Sequence, residues 1–187
     1  DKLLKYLEED EQNPDSDNDF GKNVIPAMLA GGEKLYAYLY KGYWRDVGTL
    51  SSYWSANMDT LGEDPELWLN DDGWRIYYRH DFHSPTYLGE HASLQNCNCA
   101  AGNEIDGHIF DSVIGSNIVI EEGAVVKDCV IMNNVTIGKG AHVEYAIIDH
   151  DVEIGAGAKV GGSKEDTELT VIATGQKIPP AQTGKEV

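Results

Sequence analysis

Over residues 92–187 the apolar positions of this chain recur with a short, nearly constant step. Ile114, Ile120, Val126, Ile131, Ile137, Val143, Ile148, Ile154 and Val160 are six residues apart, with steps of five at Val126–Ile131 and Val143–Ile148. Four positions after each of the first eight stands another apolar residue: Ile118, Ala124, Val130, Val135, Ala141, Ile147, Val152 and Ala158. Glycine often follows directly, as in IGKGAHV and IGAGAKV. This is a hexapeptide repeat, the signature of a parallel β-helix in which each rung is a short strand and a turn. One rung cannot bury its own apolar side, so stacking on its neighbours stabilises it. The five-residue steps leave the register open near Val125–Val126 and Ile147–Ile148. Before Ile114, HASLQNCNCAAGNEIDGHIF threads as less regular rungs, and VIATGQKIPP reads as a last strand closing the stack.

Residues 1–62 follow a different rhythm. DKLLKYLEED places Leu3, Leu4 and Leu7 on one helical face. DEQNPDSDNDFG is a polar loop, and NVIPAMLAGG reads as a short helix stopped by Gly31 and Gly32. KLYAYLYKGYW alternates Leu35, Ala37 and Leu39 with Tyr36, Tyr38 and Tyr40, a strand signal. GTLSSYWSANMDTLG then predicts a helix with Thr49 as N-cap and an apolar face of Leu50, Trp54, Met58 and Leu61. Between strand and helix lies WRDVG, where open α/β sheets commonly bind ligands. Residues 63–91 form a connector, and its Trp68, Trp74, Tyr77 and Tyr78 are expected to pack between two domains.

Composition narrows the function classes. The net charge of -18 argues against a nucleic-acid partner, which requires a basic face. It leaves room for a small anionic substrate, for which Lys22, Lys41 and Arg45 are local cations. No apolar run reaches membrane-spanning length. No secretory leader is visible. Cys97, Cys99 and Cys129 are an odd set without framework spacing, and they read as free, small, buried side chains in a reducing cytoplasm. The chain opens at Asp1 in the middle of a helical pattern, which reads as a fragment of something longer.

Asp46 is the residue of interest at the strand–helix junction. By spacing alone it fits an N-terminal cap at least as well as a ligand. Arg45 fits either a phosphate contact or a surface ion pair, and Asp19 to Lys22 fit either a binding loop or a turn that starts a helix.

NDFGKNVIP, YAYLYKGYWRDVGTLSSYWSANMDTLG and rungs such as GAVVKDCVIM together resemble the ADP-glucose pyrophosphorylases, the glucose-1-phosphate adenylyltransferases of bacterial glycogen synthesis. The resemblance runs from residue 1 to about 165 and is most specific over 17–61. It implies the C-terminal part of a Rossmann-like α/β nucleotidyltransferase domain over 1–62, a connector over 63–91 and a left-handed parallel β-helix over 92–187. Such a β-helix serves oligomerisation, generally as tetramers, and allosteric regulation. The implied reaction joins ATP and glucose 1-phosphate into ADP-glucose and pyrophosphate with Mg²⁺.

In the wider sugar-nucleotidyltransferase family an aspartate at this strand end is one of two carboxylates that hold the metal, and Asp46 matches it. Gly48 then permits close backbone approach, Trp44 fixes the turn by packing, and Arg45 stands beside the substrate. Asp19, Phe20 and Lys22 match the sugar-phosphate side of the pocket. The family's Gly-rich nucleotide loop, first metal aspartate and Glu-Lys pair have no counterpart here, so the chain alone is expected to be inactive. A non-catalytic regulatory paralogue is the alternative. Further off stand a hexapeptide acyltransferase using His108, His142 or His150, and a zinc site built from His80, His83 and His91.

Overall fold

A computed structural model describes residues 1–69, 71–77 and 82–181. Two compact units emerge, Asp1–Gly42 and Tyr43–Val187. In the first, helix α1 spans Lys2–Glu11, capped by Asp1. A wide helical turn over Phe20–Val24 runs into helix α2, Ile25–Ala30. Pro26 occupies the first turn of α2, where its missing N–H breaks no helical hydrogen bond. The helix ends at Gly31, as the glycine pair predicts. Val24 and Met28 are buried, whereas the predicted apolar face of α1, Leu3, Leu4 and Leu7, is exposed.

The strand expected over KLYAYLYKGYW does not form, and Tyr36, Tyr38 and Leu39 are 89%, 89% and 80% exposed. Alternation suits a strand, but a strand exists only against an edge that satisfies its N–H and C=O groups. No described residue of this unit offers that edge.

In the second unit, pairing begins at Tyr87. Six parallel strands stack on one face, from Tyr87–Leu88 through Glu104–Ile105, Val119–Ile120, Thr136–Ile137 and Glu153–Ile154 to Lys177–Ile178. Ser93–Cys99 and His108–Ile114 are long enough to run through a corner. They therefore contribute to both remaining faces, one continued by Val125–Lys127, His142–Glu144 and Lys159–Gly161, the other by Val130–Ile131, Ala146–Ile148 and Thr170–Ile172. The result is the expected parallel β-helix. VIATGQKIPP closes it with two strands.

The register of successive coils explains the irregular steps. Val119 pairs with Thr136, Val125 with His142 and Val130 with Ile147, a shift of 17 residues each time. A 17-residue coil holds two rungs of six and one of five, so a five-residue step recurs once per coil. All nine rung positions and all eight of their apolar companions are buried, none more than 6% exposed. Val126 and Ile148 point fully inward, which settles the register left open by the sequence.

Each coil turns three corners, and from Asp111 to Gly157 each corner carries a left-handed residue. The columns are Asp111, Asp128 and Tyr145 (φ 46°, 53° and 49°), Asn117, Asn134 and Asp151 (58°, 61° and 59°), and Gly123, Gly140 and Gly157 (72°, 65° and 67°). Most L-residues resist this conformation, while Asn, Asp and Gly tolerate it. The amides also form a ladder. Asn117 Nδ2 donates to Asn134 Oδ1 and Asn134 Nδ2 to Asp151 Oδ1, both at 2.9 Å. Gly138 meets a different constraint, because a Cβ there would lie 2.7 Å from the backbone nitrogen of Ala156 in the next coil.

Two coils break the period. Leu88 pairs with Ile105 but Ser93 with His108, so the corner at Asp106–Gly107 is two residues shorter than its neighbours. Ala146 pairs with Thr170, a shift of 24, because residues 162–169 loop out. Cys97, Ser112, Cys129 and Ala146 occupy equivalent places in successive coils, where only small side chains fit. Burial there pushes the Cys129 thiol up to about 12. Cys97 is half-buried and Cys99 is exposed, so the reading as buried thiols holds fully only for Cys129.

The connector also departs from expectation. Trp68, Trp74 and Tyr77 are 59%, 79% and 88% exposed, because the described residues of 63–77 form no helix or strand that would seat them. Tyr78 lies outside the described residues.

Replacing Asn134 by Val removes two hydrogen bonds and places a β-branched residue at φ 61°, which should lower unfolding free energy by about 2 kcal/mol. Asn134→Gly should recover the backbone part in the same urea titration. Lys127 and His142 hydrogen-bond Glu144 and hold its carboxyl below its ordinary value of 4.5. A carboxylate depressed in this way stabilises the fold fully above 4.5 and progressively less as pH falls through its folded value. The urea midpoint should therefore drop below pH 4.5, and Glu144→Gln should flatten that part of the profile.

Candidate active site

Helix α3, Leu50–Met58, is placed by its first residues. Thr49 adopts an extended conformation, and its Oγ1 accepts the N–H of Ser52 at 3.1 Å. Ser52 Oγ accepts the N–H of Thr49, also at 3.1 Å, completing a reciprocal cap. Just before it, Asp46 Oδ1 accepts the N–H of Gly48 at 3.0 Å. A Cβ on Gly48 would stand 3.3 Å from that same oxygen, so glycine suits the turn. Asp46 is thus fixed by its own backbone, exposed, at the positive end of a helix dipole.

The sequence left two readings of Arg45, and the structure gives it an ion pair. Its Nη2 meets Asp59 Oδ2 at 2.5 Å, and its Nη1 donates to Ser55 Oγ at 3.2 Å. Tyr43 donates its hydroxyl to the same Asp59 oxygen at 2.9 Å. Partial burial and this bond to Asp59 raise the Tyr43 hydroxyl above its ordinary pKa. Tyr43 and Arg45 therefore tie the turn to the far end of α3. Trp44, expected to fix the turn by packing, is 75% exposed. The hydrogen bonds of Asp46, Thr49 and Ser52 and the Asp59 ion pair hold the turn instead. Neither Tyr43 nor Asp59 was singled out from the sequence, since their spacing of 16 carries no motif.

α3 is seated on the β-helix. Trp54 donates its indole N–H to the Asp128 carbonyl at 2.8 Å and meets the Tyr145 ring edge-on, with centroids 5.1 Å apart. Beyond the helix, Asn98 Nδ2 donates to Thr60 Oγ1 at 2.9 Å, and Gly62 donates its N–H to Asn96 Oδ1 at 2.8 Å. Asn96 (φ 53°), Asp128 and Tyr145 all stand at one corner of their respective coils.

In the first unit, Asp19 caps the turn Phe20–Val24, its Oδ1 accepting the N–H of Lys22 at 2.7 Å. Phe20 is half exposed, and Lys22 reaches Asp17 at 3.6 Å. Asp19, Phe20 and Lys22 thus belong to one turn, and Trp44, Arg45 and Asp46 to another.

Three of the histidines have local partners. His91 Nδ1 lies 3.2 Å from Asp106, His142 Nε2 lies 3.1 Å from Glu144, and His150 lies beside Asp149. His108 faces outward, half-buried, in the column of His142. His80 lies outside the described residues. Among the described residues no three His, Cys, Asp or Glu groups come together as a metal would require. No helix among them is long and apolar enough to cross a membrane. A cavity of about 770 Å³ is lined by residues that include Asp71, Arg75, Asn98 and Cys99 and do not include Asp46. The pocket expected around Asp46 is therefore one wall here: a carboxylate held at a helix head.

A capped turn with a fixed carboxylate, followed by a hexapeptide β-helix, fits the expected nucleotidyltransferase segment joined to a stacked-coil module. Comparison bears out both parts. Residues 1–63 match the nucleotidyl transferase family, and residues 86–177 match a family described as GlmU-like, C-terminal hexapeptide.

The chain is a relative of the glucose-1-phosphate adenylyltransferases. That of Fusobacterium nucleatum subsp. nucleatum is 47% identical over 126 residues, covering 67% of this chain and 33% of that protein. That of Desulforamulus reducens is 48% identical over 130 residues, covering 67% and 32%. That of Clostridium beijerinckii is 44% identical over 126 residues, covering 67% and 33%. The chain thus spans about a third of the length of the curated relatives it matches.

Thr49→Ala removes the side-chain half of the reciprocal cap and should cost about 1 kcal/mol of stability. Amide exchange should speed up in the first turn of α3 before it does in the coils, and Thr49→Ser should restore both.

Proposed function

We propose that this chain is part of a glucose-1-phosphate adenylyltransferase. The enzyme would transfer adenylyl from ATP to glucose 1-phosphate, releasing pyrophosphate and making ADP-glucose for glycogen synthesis in the cytoplasm. The observation that carries the reading is Asp46, held by the Gly48 N–H at the head of α3, in a chain 44–48% identical to enzymes of that name. The chemistry is chiefly positioning and charge neutralisation around the transferred phosphorus.

Asp46 would supply one carboxylate ligand to Mg²⁺. Carboxylate oxygens suit a hard cation, and an exposed group already fixed by its backbone needs no reorganisation to bind one. One carboxylate is a ligand and not a site, so the remaining donors are water, substrate phosphates and groups outside the described residues. When bound, the ion neutralises phosphate charge. Trp44 would offer its exposed ring to substrate, and Arg45 would act on the turn through Asp59 in place of a direct phosphate contact. Asp19, Phe20 and Lys22 would face glucose 1-phosphate. The β-helix would serve assembly, as a tetramer or with a regulatory paralogue, and transmit regulation.

In the complete enzyme, Asp46→Asn should reduce pyrophosphate release by roughly a hundredfold or more in kcat while leaving the melting temperature unchanged. Full activity in Asp46→Asn would return Asp46 to a capping role. Inactivity of the unaltered protein with ATP, glucose 1-phosphate and Mg²⁺ would favour a regulatory paralogue.

A further inference from the structure

Asp128 has more partners than the stacking of coils requires. It occupies a left-handed corner at φ 53° and its side chain is only 5% exposed. Its N–H donates to the Phe110 carbonyl of the preceding coil at 3.2 Å. Its carbonyl receives the Trp54 indole of α3 at 2.8 Å. Its carboxylate receives Lys164 Nζ at 2.9 Å, with Lys127 Nζ at 3.9 Å.

Lys164 lies in the 162–169 loop, which lengthens one coil from 17 to 24 residues. That loop is closed on itself by Thr167, whose Oγ1 donates to the Ser163 carbonyl at 2.8 Å. It is also sewn to the corner column, where Gly162 and Thr170 donate their N–H groups to the carbonyls of Glu144 and Tyr145. A surface lysine pair is ordinarily worth little, but a nearly buried carboxylate without its cation is costly. Removing Lys164 therefore leaves Asp128 free to turn toward solvent. Its left-handed backbone, and with it the carbonyl that holds Trp54, shifts too.

We infer that Asp128 is a joint that conveys the position of the 162–169 loop to the Asp46 turn. The path is short and continuous. Lys164 fixes the Asp128 carboxylate, Asp128 fixes Trp54, and Trp54 sits two residues from Ser52, which completes the Thr49 cap behind Asp46. On the far end of α3, Arg45 returns from the turn to Ser55 and Asp59, so a rotation of the helix drags the turn with it. Lys164, Asp128 and Trp54 are positioning residues in this scheme. Its effect on turnover rests on the adenylyltransferase reading of Asp46, whereas its mechanical part does not.

The test is hydrogen exchange by NMR on the 187-residue chain, following the Trp54 indole N–H and the Ser52 amide. Lys164→Gln should speed both by about tenfold, and Lys164→Arg should restore them. Lys177→Gln breaks an exposed pair with Glu153 elsewhere on the coils and should change neither. Trp54→Phe keeps an aromatic edge against Tyr145 but loses the donor. It should speed the Ser52 amide to a similar degree and abolish the further effect of Lys164→Gln. In the complete enzyme Lys164→Gln should lower kcat about three- to tenfold with KM little changed.

Unchanged exchange at Trp54 and Ser52 in Lys164→Gln, or an equal change in Lys177→Gln, would overturn the inference. Faster exchange with unaltered kcat would uphold the joint and count against the role given to Asp46.

Discussion

The regular coils of this β-helix must turn three corners in 17 residues, and that constraint shapes most of the stack. Flat strands cannot close so small a loop, so the backbone enters the left-handed region at each corner of the regular coils, and sequence there is confined largely to Asn, Asp and Gly. With corners fixed, inward positions fall into register from coil to coil, and isoleucines and valines stack on isoleucines and valines. The core is then a column of near-identical layers, each stabilised by its neighbours. The exception among the corner residues, Tyr145, is instructive. Its left-handed backbone is accompanied by the edge-to-face contact of its ring with Trp54.

The same corner column is where the other element of this unit attaches. Helix α3 has few apolar residues to bury, and none of its residues is fully buried. It is held by the polar contact of Trp54 to Asp128 and one aromatic pair, and the chain just beyond it by Asn98 and Asn96. Left-handed corners expose backbone carbonyls and short polar side chains at the rim of the stack, and these are suitable acceptors for an indole or a backbone N–H. The fold thus converts a requirement of tight turning into a row of sockets, and the candidate site is mounted on a helix plugged into that row.

The β-helix was legible because its signal is periodic. Ile114 to Val160 are isolated aliphatic positions whose spacing alone identifies what faces inward. Even the five-residue steps were visible, although only the coordinates tie them to Asp111, Asp128 and Tyr145. The N-cap at Thr49 and the stop at Gly31 were legible for a similar reason, since each depends on residues within four positions. What failed depended on partners distant in sequence. KLYAYLYKGYW has the alternation of a strand and no described edge in its own unit to join, and Trp44, Trp68 and Trp74 have the bulk of packed residues yet stay mostly exposed. The clamp of Tyr43 and Arg45 on Asp59, and of Lys164 on Asp128, spans 14 to 36 residues without any recurring motif. A long-range ion pair leaves no periodic trace. For the candidate site, the sequence supplied the identity of Asp46 through family resemblance, and the structure supplied the way it is held.

The attachment of α3 also sets a gauge length. From Trp54 the helix rises about 6 Å to its end at Met58, four further residues carry the chain to Gly62, and the coils between Tyr145 and Asn96 are separated by three spacings of about 4.8 Å each. The last turn of the helix and its non-helical tail together reach across those spacings, so both ends of the splint meet their sockets at once. The number of coils between Asn96 and Tyr145 is therefore locked by the reach of one short helix. A whole 17-residue coil inserted beyond Asp151 would leave the contacts of α3 in place while carrying Lys164 away from Asp128, whereas the same insertion between Asn96 and Asp128 would pull one plug from the row. Duplication of coils, the obvious route by which such a stack grows, is thus open at one end of this molecule and closed along the stretch that carries the helix.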